Sequence, residues 1–269
     1  MNKPGLPMSS LSLRLPTADR SLETYRLAAS RVFPAKLEGT LNRVAFSAAH
    51  VVADPLADVD PWLSAAIDWD KTIAFREHIW ELGFGVAEAM DTAQRGMGLD
   101  WPTSLELIQR SVRAAKARGG VLVFSGAGTD HLAVEDARTI DDVIRAYEEQ
   151  IAAVEKAGGR IILMASRALA KLGRNADDYA KVYNRVLSQV AKPVIIHWLG
   201  DMFDPALAGY WGSRDLDAAT ETLLAIVSEH ARKIDGVKIS LLDQQREIAM
   251  RRRFPRGVRM YSGDEEDAP

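Results

Sequence analysis

The 269-residue sequence contains no cysteine. Disulfides, thiolate nucleophiles and cysteine-ligated zinc are excluded, and a reducing compartment fits. No apolar run approaches the roughly 20 residues that a spanning helix needs. The N-terminus lacks the apolar core of a signal peptide. Neither sign of charge dominates: 34 Lys and Arg stand against 37 Asp and Glu, a net charge of -3. Nucleic acid is not suggested as a partner. These absences predict a soluble, cytoplasmic chain, with no membrane and no nucleic acid among its partners.

A hydrophobic content of 47% is enough for a sizeable core. Short runs rich in Val and Ile alternate with amphipathic stretches. The strand candidates are Val44–Ala48, Val86–Met90, Val121–Phe124, Ile161–Met164, Val194–Trp198, Val237–Leu241 and Val258–Tyr261. Helical spacing is clearest over Thr103–Ala117, Ile140–Ala157, Ala176–Val190 and Leu216–Lys233. In the second of these, Asp141 and Asp142 fall in the first turn and Gly158-Gly159 marks the stop. Arg251-Arg252-Arg253 reads as the basic C-terminal end of another helix, and Asp264–Asp267 as a solvated acidic run.

Strands separated by single helices pair in parallel through right-handed crossovers. Nearly all-apolar strands mean that both sheet faces are covered. A doubly wound sheet and a (β/α)8 barrel both satisfy this. The doubly wound reading lacks its dinucleotide fingerprint, because Gly126-Ala127-Gly128 has no third glycine opening a helix. The unbroken repeat favours an α/β fold of the TIM-barrel type. Seven strands are found where a closed barrel needs eight. The expectation is a barrel domain over residues 41–269, truncated after strand seven and preceded by an extension over residues 1–40. Leu11–Leu15 alternates like a hairpin arm. A fragment is the favoured explanation of the missing unit.

Barrel chemistry sits at the C-terminal ends of the strands. That filter selects His50; Glu88, Asp91 and Thr92; Ser125, Thr129, Asp130 and His131; Ser166 and Arg167; His197 and Asp201; Lys238 and Ser240; and Tyr261, Ser262 and Asp264. Lys238 stands out. It lies inside the apolar run Gly236-Val237-Lys238-Ile239-Ser240, where an ammonium is costly unless paired or used. A neutral amine there attacks carbonyl carbon, the first step to a Schiff base. A lysine that snorkels or pairs with a carboxylate is the plainer alternative. Strand alternation points His197 either into the barrel or toward the helices. Asp91 and Thr92 either touch substrate or cap the next segment. His78 and His230 fall in helical patterns and are expected to pack or face solvent. A second reading uses His50, Glu88, Asp91, His131 and His197 as nitrogen and oxygen ligands of a divalent metal, although no tight ligand pair supports it.

The order of motifs resembles the dihydrodipicolinate synthase and N-acetylneuraminate lyase superfamily, as a divergent branch, from about residue 67 to 264. Gly236–Ser240 is similar to that family's Gly-Ile-Lys-Glu/Asp-Ser/Ala segment, which implies Lys238 as the Schiff-base lysine. Ser125–Asp130 resembles its Ala-Gly-x-Gly-x-Asn loop, Lys192–His197 its Leu-Pro-Val-Ile-Leu-Tyr strand, and Tyr261–Asp264 its Ser-Gly-Asp-Asp. The resemblance implies a class I aldolase-type lyase that needs no cofactor, with a small carbonyl compound as partner and scope for homo-oligomers. Three departures stand out. The carboxylate-binding loop after strand two is replaced by Met90–Arg95, the shuttle tyrosine by His197, and the carboxylate-binding arginine is missing from Trp198–Met202. Dihydrodipicolinate synthesis is therefore not expected. Lys238 as nucleophile and His197 as general acid/base, its unperturbed pKa being near neutrality, are the catalytic candidates; Asp91, Thr92, Ser125, Thr129, Asp201, Ser240 and Ser262 are the candidates for binding a keto acid or keto sugar. Hydroxyl-bearing substrates suit the hydrogen-bonding groups of Asp91, His197 and Asp201.

Overall fold

A computed structural model describes residues 12–26, 36–39, 41–60 and 63–263. Leu11 and the acidic run from Asp264 to Asp267 lie outside the described residues. The chain opens with an antiparallel hairpin, β1 (Ser12–Pro16) and β2 (Leu22–Arg26), exposed along its whole length. Then follow β3 (Phe46–Ala48), α1 (Trp69–Glu81), β4 (Gly85–Glu88), α2 (Trp101–Ala117), β5 (Val123–Ala127), α3 (Ile140–Ala157) and β6 (Arg160–Leu163). After β6 come α4 (Arg167–Leu172), α5 (Ala176–Gln189), β7 (Val194–Leu199), α6 (Leu216–Glu229), β8 (Ile234–Ser240), α7 (Gln244–Arg251) and β9 (Arg259–Tyr261). The seven strands β3 to β9 form one parallel sheet in sequential order. They correspond one for one to the seven expected from the sequence.

Two apolar layers show that the sheet curls. One face packs under the helices, with Val86, Val123, Ile161, Ile196, Val237 and Ile239 in a single large core. The other face gathers Phe124, Ile162 and Ile195 with Met90, joined by Phe46, Ala87, Met164 and Tyr261. Residues from both ends of the sheet share this inner cluster. The Phe46 ring lies 5.8 Å from Tyr261 and 5.2 Å from Phe124, edge to face in both cases. A flat sheet could not bring β3 and β9 together, so the strands enclose an interior, as in a TIM barrel with seven strands in place.

Local signals set the elements. Asp100 caps α2 by accepting from the Thr103 N–H at 2.9 Å, with Pro102 in the first turn. Thr139 and Asp142 form a reciprocal capping box on α3, and Gly158, at φ +83°, ends it in the left-handed region open to glycine. The basic run does close a helix, with Arg251 in the last turn of α7. The stretch Leu216–Lys233 divides into α6 and a separate short turn.

Candidate functional site

Strand alternation decides which side chains enter the barrel. On β7, Ile196 and Trp198 face the helices, and Trp198 meets Trp211 with ring centroids 6.0 Å apart. Ile195 and His197 therefore face inward. On β8, Val237 and Ile239 face outward and Lys238 and Ser240 inward. Parallel pairing sets His197 beside Lys238 and Leu199 beside Ser240. Gly236 in the lysine motif has a packing reason: a Cβ there would sit 2.6 Å from the Tyr261 ring. Its absence lets that ring lie across the strand and donate from its hydroxyl to Asp235 Oδ1 at 2.7 Å.

Lys238 is half-buried and opens on a chamber of about 410 Å³. Asp91, Thr92, His197, Ser240, Tyr261 and Ser262 supply polar groups to its wall. The Lys238 ammonium donates to Ser240 Oγ, and the same oxygen lies 3.4 Å from His197 Nε2. Ser240 thus joins the lysine to the histidine. His197 is 5% exposed. Burial, and then the nearby Lys238 charge, lower its pKa from 6.5 to about 3. The imidazole is neutral at neutral pH, so the near-neutral titration expected from its type is absent. In the tautomer with the proton on Nδ1, Nε2 accepts from the Ser240 hydroxyl. Among the described residues, no arginine lines this chamber.

A second chamber of about 410 Å³ shares Asp91, His197, Leu199 and Phe203 with the first. Thr129 is on its wall and bonds Ser166 Oγ at 2.6 Å. Arg95 is a functional-region residue that the sequence reading passed over. It is 4% exposed, and all its N–H groups are used within the fold. Nε and Nη2 donate to Asp130 at 3.1 and 2.8 Å, Nη1 to the Ala89 and Gly126 carbonyls at 3.3 and 2.5 Å, and Nη2 also to Gln150. Arg95 ties the ends of β4 and β5 to the following loop and to α3. Asp130 is held below the ordinary carboxylate range: burial opposes this, and the Arg95 bonds and charge outweigh it. Gly126 leaves room, since a Cβ there would lie 2.8 Å from the Ala89 carbonyl. The available signal was an Arg after one strand and an Asp after the next, a pairing visible only once β4 and β5 are neighbours.

Several expected site residues are placed elsewhere. Ser125 follows inward-facing Phe124, so it is turned toward the helices and buried there, in neither chamber. Asp201 is exposed in the loop after β7 and lines neither chamber. The proposed metal ligands are dispersed. His50 packs against Phe75 at 4.8 Å. His131 faces α3, with Gln150 Nε2 2.8 Å and Glu149 3.2 Å from its ring nitrogens. Glu88 lies under the helices, fully buried with Arg76. Only Asp91 and His197 of that set share a chamber wall. Among the described residues, no three His, Asp or Glu converge in a way that could hold a metal ion. Asp264 is outside the described residues. No described helix is long and apolar enough to cross a membrane.

Comparison with solved structures agrees with this architecture. Dihydrodipicolinate synthase from Oceanobacillus iheyensis superposes with a TM-score of 0.54 at 15% identity, over 81% of this chain and 60% of that one. A monomeric dihydrodipicolinate synthase variant gives 0.57 at 13%, over 82% and 63%. The 2-keto 3-deoxygluconate aldolase from Picrophilus torridus gives 0.53 at 14%, over 82% and 67%. The fold is therefore the barrel that the motif order resembled, and the chain spans 60% of the length of the first of these proteins. No curated protein matches the sequence. One family model matches residues 13–268, nearly the whole chain, and the protein belongs to the family it describes, "Protein of unknown function (DUF993)".

Proposed function

We propose that this protein is an imine-forming lyase of the aldolase type, acting on a keto acid or keto sugar. The observation that carries the reading is Lys238, inward on β8 at the wall of an open chamber, hydrogen-bonded to Ser240 next to His197. Lys238 Nζ, once unprotonated, adds to the carbonyl carbon. The carbinolamine loses its hydroxyl as water and leaves a C=N bond. The protonated imine withdraws electrons from the adjacent carbon, so a bond to that carbon breaks or forms. Ser240 Oγ holds the lysine nitrogen in place, neutral His197 holds that hydroxyl in line, and water entering the open chamber takes up and returns the protons of these steps. Asp91 and Thr92, exposed at the mouth, orient the substrate. The lack of arginine on this wall favours a reaction other than dihydrodipicolinate synthesis, because the carboxylate-binding arginine of the family that the motifs resemble has no counterpart here, and Asp91 at the mouth turns the carboxylate of a keto acid toward Lys238.

Borohydride trapping tests this directly. A panel of keto acids and keto sugars is incubated with folded protein, reduced, and read by peptide mass spectrometry. A reduced adduct on Lys238 is the expected result, and its mass identifies the carbonyl compound. Lys238→Ala should retain the fold by circular dichroism and lose turnover by at least a thousandfold. Turnover within tenfold of the original would sink the imine mechanism.

A further inference from the structure

We propose that the second chamber is a subsite for an apolar tail, so that the substrate is a carbonyl compound with an aliphatic or aromatic extension and not a polyhydroxylated sugar. This rests on the imine reading of the first chamber. The two chambers share the His197, Leu199, Phe203 and Asp91 walls, which sets the second beside the first and within reach of the tail of a molecule bonded at Lys238. Its lining is largely apolar, with Met97, Leu132, Val134, Met164, Ala165 and Leu207.

Most polar groups of its inner wall are already engaged, and Asp91 and the outer guanidinium nitrogens of Arg167 stand at its rim. Arg95 has no donor left, and Asp130 accepts from Arg95 and from Gln150 Nε2. Thr129 is bonded to Ser166, and Arg167 Nε donates to Asp204 Oδ2 at 2.6 Å across the outer rim. A sugar tail entering this space would give up hydrogen bonds to water and find few in return. An apolar tail gains instead, by roughly fourfold in affinity per buried methylene. Of the groups that suggest a hydroxyl-rich substrate, Asp91 and His197 stand where the two chambers meet and Asp201 lies outside both, so none reaches the apolar far wall.

The test compares 4-phenyl-2-oxobutanoate with 2-keto-3-deoxygluconate, two 2-oxo acids that differ in the tail. Trapping rates on Lys238 should favour the phenyl compound by at least tenfold. Ala165→Phe, which fills the chamber, should cut that ratio at least fivefold. Met97→Asp, at an exposed wall position, should do the same where the first variant fails to fold. Equal or reversed rates, or a ratio that neither variant changes, would overturn the proposal. If neither probe is trapped, the imine reading fails by itself, and calorimetry on the same proteins then decides the subsite. Tenfold tighter binding of the phenyl compound, lost in either variant, sustains it; equal affinity or no binding overturns it.

Discussion

At the residue scale, His197 differs most from what its type implies. A histidine near a strand end suggests titration near neutrality, but an inward position on β7 removes water from the ring. The unfolded chain binds the imidazole proton as pH falls through 6.5, whereas the folded chain does so only near 3. The stabilisation is therefore complete above pH 6.5 and is lost as pH falls toward 3, by about 1.4 kcal/mol per pH unit for a single site. Urea unfolding of wild type and His197→Asn, compared between pH 6.5 and 5, should show the steeper decline in wild type. Parallel curves would mean that His197 is not buried as a neutral ring. Lys238 was legible because a lone cation in an apolar strand is conspicuous in any sequence. The Ser240 link was half-visible, since residues two apart on a strand share a face. The neutrality of His197 was not, because it depends on burial supplied by the other strands.

At the element scale, Glu88 shows how a site-like residue becomes a scaffold. It lies on β4 one position after inward Ala87, so it faces α1 and α2. Arg76 Nε and Nη2 of α1 each donate to its carboxylate at 2.9 Å, and the Ala89 N–H and Ser111 hydroxyl complete its partners. The remaining Arg76 donors hold the Thr72, Ala49 and His50 carbonyls, which fixes the end of β3. Both side chains are 0% exposed. Removing one partner leaves the other charged and buried. Glu88→Ala should cost about 3–5 kcal/mol in chemical denaturation, and an Arg76→Met, Glu88→Leu double variant should recover most of it. A loss below about 1 kcal/mol for the single variant would show that the site rehydrates. Sequence periodicity located α3 at Ile140–Ala157 because caps, charges and apolar spacing all agree there. It passed over α4, whose six residues are too few to display a period. It also could not orient Ser125 or Glu88, since both faces of a covered parallel sheet are apolar and a strand's sequence does not mark which face is the interior.

At the scale of the whole molecule, the issue is how seven strands enclose a site. Consecutive strands are hydrogen-bonded from β3 through β9, whereas β3 and β9 pair with one neighbour each among the described residues. These end strands are three residues long, and short edges offer little template for pairing with another chain. Their approach is made by side chains. Phe46 bridges Phe124 and Tyr261, and both Phe46 and Tyr261 line the Lys238 chamber. Closure and the site therefore share residues, and loosening one should loosen the other. Phe46 is half-buried, so Phe46→Ala should cost about 2–3 kcal/mol, less than the loss of a fully buried ring. The effect should be local as well. Hydrogen exchange at the Met260 and Tyr261 amides should quicken more than at Ile161 and Ile162 in the middle of the sheet, because β9 loses its inner brace and keeps only the β8 ladder. Uniform acceleration across all seven strands would instead mean that the enclosed core opens as one unit. Phe46 would then support the barrel as a whole, and its contact with Tyr261 would carry no stability particular to β9.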